Sequence, residues 1–319
     1  MPHRLAAFAL QVAALCAGLL GSPASPASHA EDDRAAPRRY LNTVFAEHVR
    51  HGNLVYAENV NNLDGKVEKL TMRVFEPKGD TAARRPLLVL TPGGGFVRTE
   101  DFWMDDFGEE LARAGYVVAI HRYRLSKDLN SPARFYDALF KAMSDQKAVI
   151  RWFVQDAAGP NRFKVDVDNI FIGGHSAGAF TSLYTAYLDA RNKLPDAGSA
   201  ALKANGGLDG NSGYEQVKFT LRGVINLSGA VTDIDMFDAG EPVLLSIHGD
   251  KDDVVPLGSS PTGLHGSATL HQRAQSRGIK SVLQVVEGGD HIDPADPKRC
   301  PECLPLIKRF MFNTMQHPQ

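Results

Sequence analysis

One short stretch, residues 169–179, constrains the fold of this 319-residue chain more than any other. The apolar run at residues 170–172 predicts a buried strand, and residues 174–178 (Gly-His-Ser-Ala-Gly) lead from it into a predicted helix. This is the G-x-S-x-G pattern in the order strand, tight turn, helix, and the turn exposes the serine hydroxyl. We therefore predict Ser176 as a nucleophile. The N–H of Ala177, at the helix start, is expected to face developing negative charge.

A G-x-S-x-G match also occurs by chance in glycine-rich turns, where its serine has no chemical role. The strand before it and the helix after it favour the nucleophile. A serine hydroxyl is a weak nucleophile unless a base activates it. The rest of the chain is therefore expected to supply a base, an acid and donors for an oxyanion.

Apolar runs and turn residues divide most of the chain into strands and helices. Predicted strands cover residues 54–56, 67–75, 87–90, 116–120, 170–172, 223–227, 243–247 and 281–286, and predicted helices cover 40–48, 104–114, 135–156, 179–188, 267–277 and 305–315. Residues 193–216 are rich in Gly, Asn, Asp and Ala and predict an irregular surface excursion. Alternation of this kind indicates an α/β fold, a mostly parallel eight-stranded sheet with helices on both faces. The short connection after residues 223–227 leaves no room for a large lid.

The N-terminus has the three-part pattern of a secretory signal peptide. Arg4 precedes the apolar residues 5–20, small residues follow, and acidic residues begin after Ala30. The apolar run is too short to cross a bilayer. We predict cleavage after Ala30, a single catalytic domain over residues 31–319, and a periplasmic or secreted location. A formal net charge of −2 offers no basic surplus for nucleic acid.

Cysteine usage agrees with export. Cys16 leaves with the predicted signal peptide, and Cys300 and Cys303 remain as an isolated pair. In an oxidising compartment such a pair predicts a small structural disulfide. A redox dithiol is the alternative, because the pair precedes a predicted helix. A zinc site would need two further ligands that the nearby sequence does not offer.

Two loops that follow buried strands carry the expected acid and base. The loop after the next-to-last strand contains Asp250, Asp252 and Asp253, and the loop after the last strand contains His291. In parallel sheets, functional groups gather beyond the carboxyl ends of strands. The chain order is Ser176, an aspartate near position 252, and His291, which is the order of an α/β-hydrolase triad.

A glycine triplet provides the fourth feature. Residues 92–96 read Pro-Gly-Gly-Gly-Phe and follow the buried strand at residues 87–90. Consecutive glycines allow backbone N–H groups to turn toward an oxyanion. A flexible turn without a chemical role is the alternative.

Taken together, these features resemble an α/β-hydrolase of the carboxylesterase and hormone-sensitive-lipase-like kind. The resemblance covers the chain from about residue 54 to the C-terminus. It rests on residues 92–96, 123–125 (Tyr-Arg-Leu), 174–178, 248–256 and 289–291.

The resemblance implies roles for individual residues. The family pattern HGxxDxxVP places the acid at Asp252, and the oxyanion donors fall on Gly94, Gly95 and Ala177. Where the family has the first histidine of its HGGG motif, this chain has Pro92, so altered loop geometry is expected. Arg122 brings a positive charge near the cleft.

The resemblance implies cleavage of carboxylic esters, and the predicted mechanism uses no cofactor and no metal ion. The substrate is expected to be a small or polymer-borne ester, with a short acyl chain or with acetyl or feruloyl groups on polysaccharides. Phe96, Phe102 and Trp103 either line a substrate pocket or pack in the core. An exported peptidase or amidase on the same fold is an alternative, acting on an acidic polyamide if Arg98, Arg122 and Arg124 line the cleft. A non-catalytic binding protein is a second alternative.

Overall fold

The strand that leads to Ser176 lies in the middle of an eight-stranded sheet. The computed structural model describes residues 38–101 and 103–316. Ten strands are present among them: β1 His48–Asn61, β2 Lys66–Pro77, β3 Arg85–Thr91, β4 Val117–His121, β5 Val165–His175, β6 Gly223–Leu227, β7 Ala230–Val231, β8 Val243–Gly249, β9 His265–Gly266 and β10 Ser281–Val286. Six α-helices accompany them: α1 Met104–Ala114, α2 Pro132–Ala158, α3 Ala177–Tyr187, α4 Asp196–Ala204, α5 Ser267–Ser276 and α6 Cys303–Gln316.

The sheet confirms the predicted α/β-hydrolase architecture. Its strand order is β1-β2-β4-β3-β5-β6-β8-β10. The β1–β2 hairpin and the β2–β4 pair are antiparallel, and all other pairs of the sheet are parallel. The eight predicted strands all occur in this sheet. The two short strands β7 and β9 pair separately.

Helices cover both faces of the sheet, which explains the unbroken apolar runs of its strands. Alternate residues of β3 point to opposite faces, so Val89 belongs to the core beneath α2, α3 and α5, while Leu88 belongs to the core beneath α1 and α6. All seven residues of β3 are buried. The carboxyl ends of β3, β5, β8 and β10 therefore meet at one edge on a rigid base.

The helix predicted at residues 40–48 is absent from the described structure. Tyr40 has a φ of 74°, and its N–H donates to Ala114 O at the end of α1. The N–H groups of Val44 and Phe45 donate to Arg113 O. These backbone donors bond to α1 instead of to carbonyls four residues earlier, so the single turn that Asn42 N closes on Arg38 O does not continue into a helix.

The predicted irregular excursion at residues 193–216 contains helix α4. An alanine-rich run follows Pro195, and alanine has the highest helix propensity. α4 packs on α2, where Gly198 lies next to the Tyr136 ring. Tertiary packing thus orders a segment whose composition indicates a loop. The predicted signal peptide, residues 1–30, lies outside the described residues and stays a prediction. Within the described residues, no helix is both long and apolar enough to cross a bilayer.

Candidate active site

Ser176 occupies a strained turn between β5 and α3. Its φ is 52° and its ψ is −122°, a conformation that costs a non-glycine residue free energy. The turn is held tightly, because Ser176 N donates to Leu227 O at 2.9 Å. A Cβ placed on Gly178 would lie 1.9 Å from Thr91 O, so only glycine fits there. This is the nucleophile-elbow geometry that the sequence pattern predicts.

The loops after β8 and β10 bring two further side chains to Ser176. His291 Nε2 lies 2.8 Å from Ser176 Oγ, and His291 Nδ1 lies 2.7 Å from Asp252 Oδ2. An ionised carboxylate only accepts, so Nδ1 carries a proton and donates it to Asp252. Nε2 is then free to accept the Ser176 hydroxyl proton. Three residues far apart in sequence form one hydrogen-bonded chain.

Asp252 is held by its own loop as well as by His291. Its Oδ1 accepts hydrogen bonds from Val254 N at 2.9 Å and Val255 N at 2.8 Å, and its side chain is fully buried. Burial acts to raise the pKa of Asp252. Hydrogen bonds from His248, His291 and Val255 outweigh burial and hold the pKa well below its usual range. The carboxylate is therefore ionised at neutral pH.

The neighbouring aspartates face elsewhere. Asp250 Oδ1 accepts from Gly288 N at 2.7 Å in an exposed turn, and Asp253 is exposed. Of the three carboxylates on this loop, Asp252 is the one that the structure joins to His291.

The glycine loop after β3 packs directly against the serine. A Cβ added to Gly93 would lie 3.3 Å from Ser176 Cβ. Gly94 and Gly95 have φ angles of 109° and 60°, so the loop turns sharply beside the hydroxyl. Ala177 is the first residue of α3, where an N–H has no acceptor inside the helix.

Tyr123 holds this loop from behind. Its hydroxyl donates to Pro92 O at 3.1 Å. Pro92 is the residue that departs from the HGGG pattern. A contact from the end of β4 therefore fixes the carbonyl at the position where the pattern changes.

The residues considered for substrate binding have different surroundings. Phe96 and Trp103 are 2% and 5% exposed and pack in the core, which favours the packing alternative. Phe102 lies outside the described residues. Arg122 is exposed at the end of β4. Arg124 is buried in an ion pair with Asp145 at 2.9 Å, so its guanidinium faces the interior and not a cleft.

Two histidines have supporting contacts that the sequence analysis did not assign. His175 Nε2 donates to His291 O at 2.8 Å, and burial with the nearby His291 lowers the pKa of His175 to about 4. His248 Nε2 lies 3.0 Å from Asp252 Oδ2. The sequence signal for these contacts is that His175 lies in the motif of Ser176, residues 174–178, and His248 in the motif of Asp252, residues 248–256.

An uncharged cavity of about 630 Å³ opens near the glycine loop. It lies between the start of α2 and the segment before β9, and its lining includes Phe135, Tyr136, Thr232 and Leu264. The Phe135 ring also contacts the rings of Phe96, in the glycine loop, and Phe180, on the elbow helix. The Phe135 ring thus lines the cavity and also contacts one ring from each part of the site.

The pair Cys300 and Cys303 is joined by a disulfide at the start of α6, with Cα atoms 5.4 Å apart. Both cysteines are buried, which favours a structural role over thiol exchange. Arg299, directly before the pair, forms ion pairs with Asp290 at 2.7 Å and Asp293 at 2.5 Å. These contacts tie the His291 loop to the last helix.

Among the described residues, one carboxylate trio could hold a metal ion: Asp189, Asp238 and Glu241 lie within 4.8 Å of one another. Arg191 already pairs with Asp189 and Asp238, and burial raises the pKa of Glu241 to about 7. Asp189 follows the C-terminus of α3, so the trio lies about 16 Å along that helix from Ser176. It has no part in the serine site.

The mostly parallel eight-stranded sheet, with its site on the loops beyond the carboxyl ends of the strands, defines an α/β-hydrolase. The BD-FAE family model matches residues 72–243, more than half of the chain. The chain therefore belongs to the BD-FAE family.

Solved structures agree on the fold. Esterase 2 of Thermogutta terrifontis, phosphorylated by paraoxon, is 18% identical, with 83% of this chain and 94% of that chain covered and a TM-score of 0.60. Its propionate-bound form is 19% identical, with 82% and 93% covered and a TM-score of 0.60. A truncated carbohydrate esterase from gut microbiota is 18% identical, with 88% and 100% covered and a TM-score of 0.63. No curated protein matches the sequence.

Proposed function

We propose that this protein is an exported serine hydrolase that cleaves carboxylic esters through an acyl-enzyme. The observation that carries the proposal is the chain of hydrogen bonds from Ser176 Oγ through His291 to Asp252, at 2.8 and 2.7 Å. The glycine loop against Ser176 supports it, because acyl transfer needs oxyanion donors beside the nucleophile. The family and the esterases that share the fold are consistent with this chemistry.

In the proposed reaction, Ser176 Oγ attacks the ester carbonyl carbon while its proton passes to His291 Nε2. The carbonyl π electrons move to oxygen and give a tetrahedral oxyanion. When this intermediate collapses, the bond to the leaving alcohol breaks and His291 returns the proton to the alkoxide. Asp252 remains ionised, orients the ring and stabilises the imidazolium.

Deacylation repeats these steps with water. The oxygen of the water molecule attacks the acyl carbon while His291 Nε2 takes a proton from that water. The second tetrahedral intermediate collapses to the free acid, and Ser176 recovers its proton. The N–H groups of Gly94, Gly95 and Ala177 bind the oxyanion in both halves. Loss of one such donor costs on the order of 10²–10³-fold in kcat.

The substrate that we propose is a neutral ester with a short acyl chain, or an acetyl or feruloyl ester on a polysaccharide. The uncharged cavity beside Phe135 supports a neutral group better than an acidic one. The burial of Arg124 removes one cation that an acidic polyamide would need. A similar esterase fold is described with bound propionate, a short acyl product.

A nucleophile variant tests the proposal. We expect Ser176→Ala to lower kcat for p-nitrophenyl acetate on the order of 10⁶-fold. A fluorophosphonate probe should label the wild-type protein and not this variant. Ser259→Ala, at an exposed serine outside the site, is the matched control. Retention of substantial hydrolysis by Ser176→Ala would overturn the assignment, and failure of the wild type to react with the probe would favour a binding protein.

A substrate panel tests the finer proposal. Short esters, long-chain esters, amides and peptides should be compared at equal enzyme concentration. We expect short and aromatic esters to give the highest kcat/KM. A higher kcat/KM for amides or peptides would identify a peptidase or amidase instead.

A further inference from the structure

His248 makes contacts that link Asp252 to a buried polar cluster behind the site. It is the sixth residue of β8 and is 0% exposed. Its Nε2 lies 3.0 Å from Asp252 Oδ2 and 3.1 Å from Val255 O, and its Nδ1 lies 2.7 Å from Ser267 Oγ. Both ring nitrogens are therefore engaged.

The direction of each hydrogen bond follows from the partners. Asp252 Oδ2 and Val255 O are acceptors only, so His248 Nε2 carries a proton. On the other side, Asn226 Nδ2 donates to Ser267 Oγ at 3.0 Å. Ser267 Oγ, already an acceptor, gives its own proton to His248 Nδ1.

The orientation of the Asn226 amide is determined independently. Gly229 N donates to Asn226 Oδ1 at 2.9 Å, and Nδ2 also donates to Ser246 Oγ at 3.0 Å. The amide oxygen must therefore face Gly229, and the NH₂ group must face the two serines. The order of donors runs in one direction from Asn226 through Ser267 and His248 to Asp252.

We propose that His248 is a positioning residue of the site, which holds Asp252 in the orientation that receives His291, with Ser267 and Asn226 selecting its tautomer. The inference rests on the proposed function. Asp252 Oδ2 accepts the His291 Nδ1–H and lies 3.0 Å from His248 Nε2, whose one N–H it shares with Val255 O, while Oδ1 accepts two backbone N–H groups. Rotation of the carboxylate breaks bonds on both oxygens at once.

A purely structural role makes a different prediction. If His248 only fills space at the end of β8, an apolar side chain of similar size should preserve the site once the protein folds. If it positions Asp252, the Nε2–H donor itself is needed. Glutamine can supply an N–H at a similar distance from the backbone, whereas leucine cannot.

The experiment compares His248→Leu, His248→Gln and Ser267→Ala with the wild type. We expect His248→Leu to lower kcat about 10- to 100-fold with little change in KM, because it removes a hydrogen bond to a charged group. His248→Gln should recover most of that loss. Ser267→Ala removes the donor to His248 Nδ1 with little loss of volume, and it should lower kcat by an intermediate amount. This variant also tests the proposal if His248→Leu does not fold.

His271→Leu is the matched control. His271 Nδ1 lies 2.9 Å from Ser281 Oγ, so this variant removes a histidine–serine contact of the same kind away from the site. It should leave kcat unchanged. Equal kcat values for His248→Leu, Ser267→Ala and His271→Leu in an active enzyme would overturn the positioning role and leave the proposed function standing.

A second readout does not depend on any substrate. The proton between His291 Nδ1 and Asp252 should give a far-downfield resonance in the proton NMR spectrum. We expect it to shift or broaden in His248→Leu and Ser267→Ala, and to stay in place in His248→Gln and His271→Leu. If the resonances follow this pattern but the protein cleaves no ester, the proposed function is disproved and the positioning role of His248 stands. An unchanged resonance in the first two variants would disprove the positioning role.

Discussion

At Asp252, burial and hydrogen bonding oppose each other directly. Burial disfavours a charged carboxylate, and four N–H donors favour it. The donors prevail, so the group is ionised where an uncompensated carboxylate would take up a proton. The pKa of Asp252 is lower in the folded chain than in the unfolded chain, so its ionisation stabilises the fold at any pH above the unfolded pKa. This contribution to stability is lost as the pH falls below about 4.

The three aspartates of this loop should differ sharply on mutation. We expect Asp252→Asn to lower kcat by about 10⁴-fold, because an amide stabilises the wrong tautomer of His291. Asp250→Asn and Asp253→Asn are the matched controls and should stay near wild-type activity. Steady-state kinetics on a short ester measures all three. A larger loss in either control would assign the acid to that residue instead.

Tyr123 allows a test of the glycine loop. Removal of its hydroxyl frees Pro92 O and loosens the loop that carries Gly94 and Gly95. We expect Tyr123→Phe to lower kcat about 10-fold with a small change in KM.

Tyr187→Phe is the control for this variant. Tyr187 also donates to a proline carbonyl, Pro242 O at 2.9 Å, but at the far end of α3. The Tyr187→Phe variant should be less stable than the wild type and should keep the wild-type kcat. Equal kcat values for the two variants would show that the Tyr123 contact does not position the loop.

At the scale of elements, the segment between β10 and α6 depends on contacts with other parts of the chain. His175, at the end of β5, holds the backbone of His291, and Arg299 pairs with Asp290 and Asp293. The Cys300–Cys303 disulfide closes the turn into α6. The loop that carries His291 needs such constraints, because a small displacement breaks both hydrogen bonds of the imidazole.

Removal of the disulfide tests this arrangement. We expect the double variant Cys300→Ala and Cys303→Ala to be less stable by about 2 kcal/mol, because the disulfide no longer reduces the entropy of the unfolded chain by closing a loop of four residues. Its melting temperature should fall by several degrees and its activity should decrease. Reductant should reproduce the effect in the wild type and have no effect on the variant. A wild type whose melting temperature and activity resist reductant would contradict this role.

At the scale of the whole molecule, buried neutral histidines link stability to pH. Burial lowers the pKa of His121 to about 3, and burial together with His291 lowers that of His175 to about 4. Both values lie below the unfolded value of about 6.5. These histidines therefore contribute stability that is fully present above pH 6.5 and is lost progressively below it, as the unfolded chain takes up protons first.

We expect the two histidines to lower the free energy of unfolding by about 3 kcal/mol between pH 6.5 and pH 5, or about 1.6 kcal/mol for each histidine. The raised pKa of Glu241 acts in the opposite direction over this range, because the folded chain holds that proton more tightly than the unfolded chain does. Urea unfolding across this range measures the change. His121→Gln should remove about half of the slope that the two histidines produce. A slope that is the same in His121→Gln and in the wild type would contradict the linkage.

The positions of most elements could be predicted from the sequence, because the period of apolar residues reports the local backbone directly. The meeting of Ser176 and His291 could also be predicted, because each follows a strand that parallel topology brings to one edge of the sheet. Residues 40–48 could not be predicted, since their backbone donors bond to α1, a partner more than 60 residues away. The helix at residues 196–204 likewise depends on packing against α2.

The sequence by itself therefore determined the class of fold, and it singled out Ser176, His291 and three aspartates as the candidates for the site. The tertiary structure decided which aspartate meets His291, that Phe96 and Trp103 are packed, and that Arg124 points inward to Asp145. It also brought His175 and His248 into contact with the site. Local periodicity encodes what a segment becomes, whereas the partner of a side chain depends on chain segments that meet only after folding.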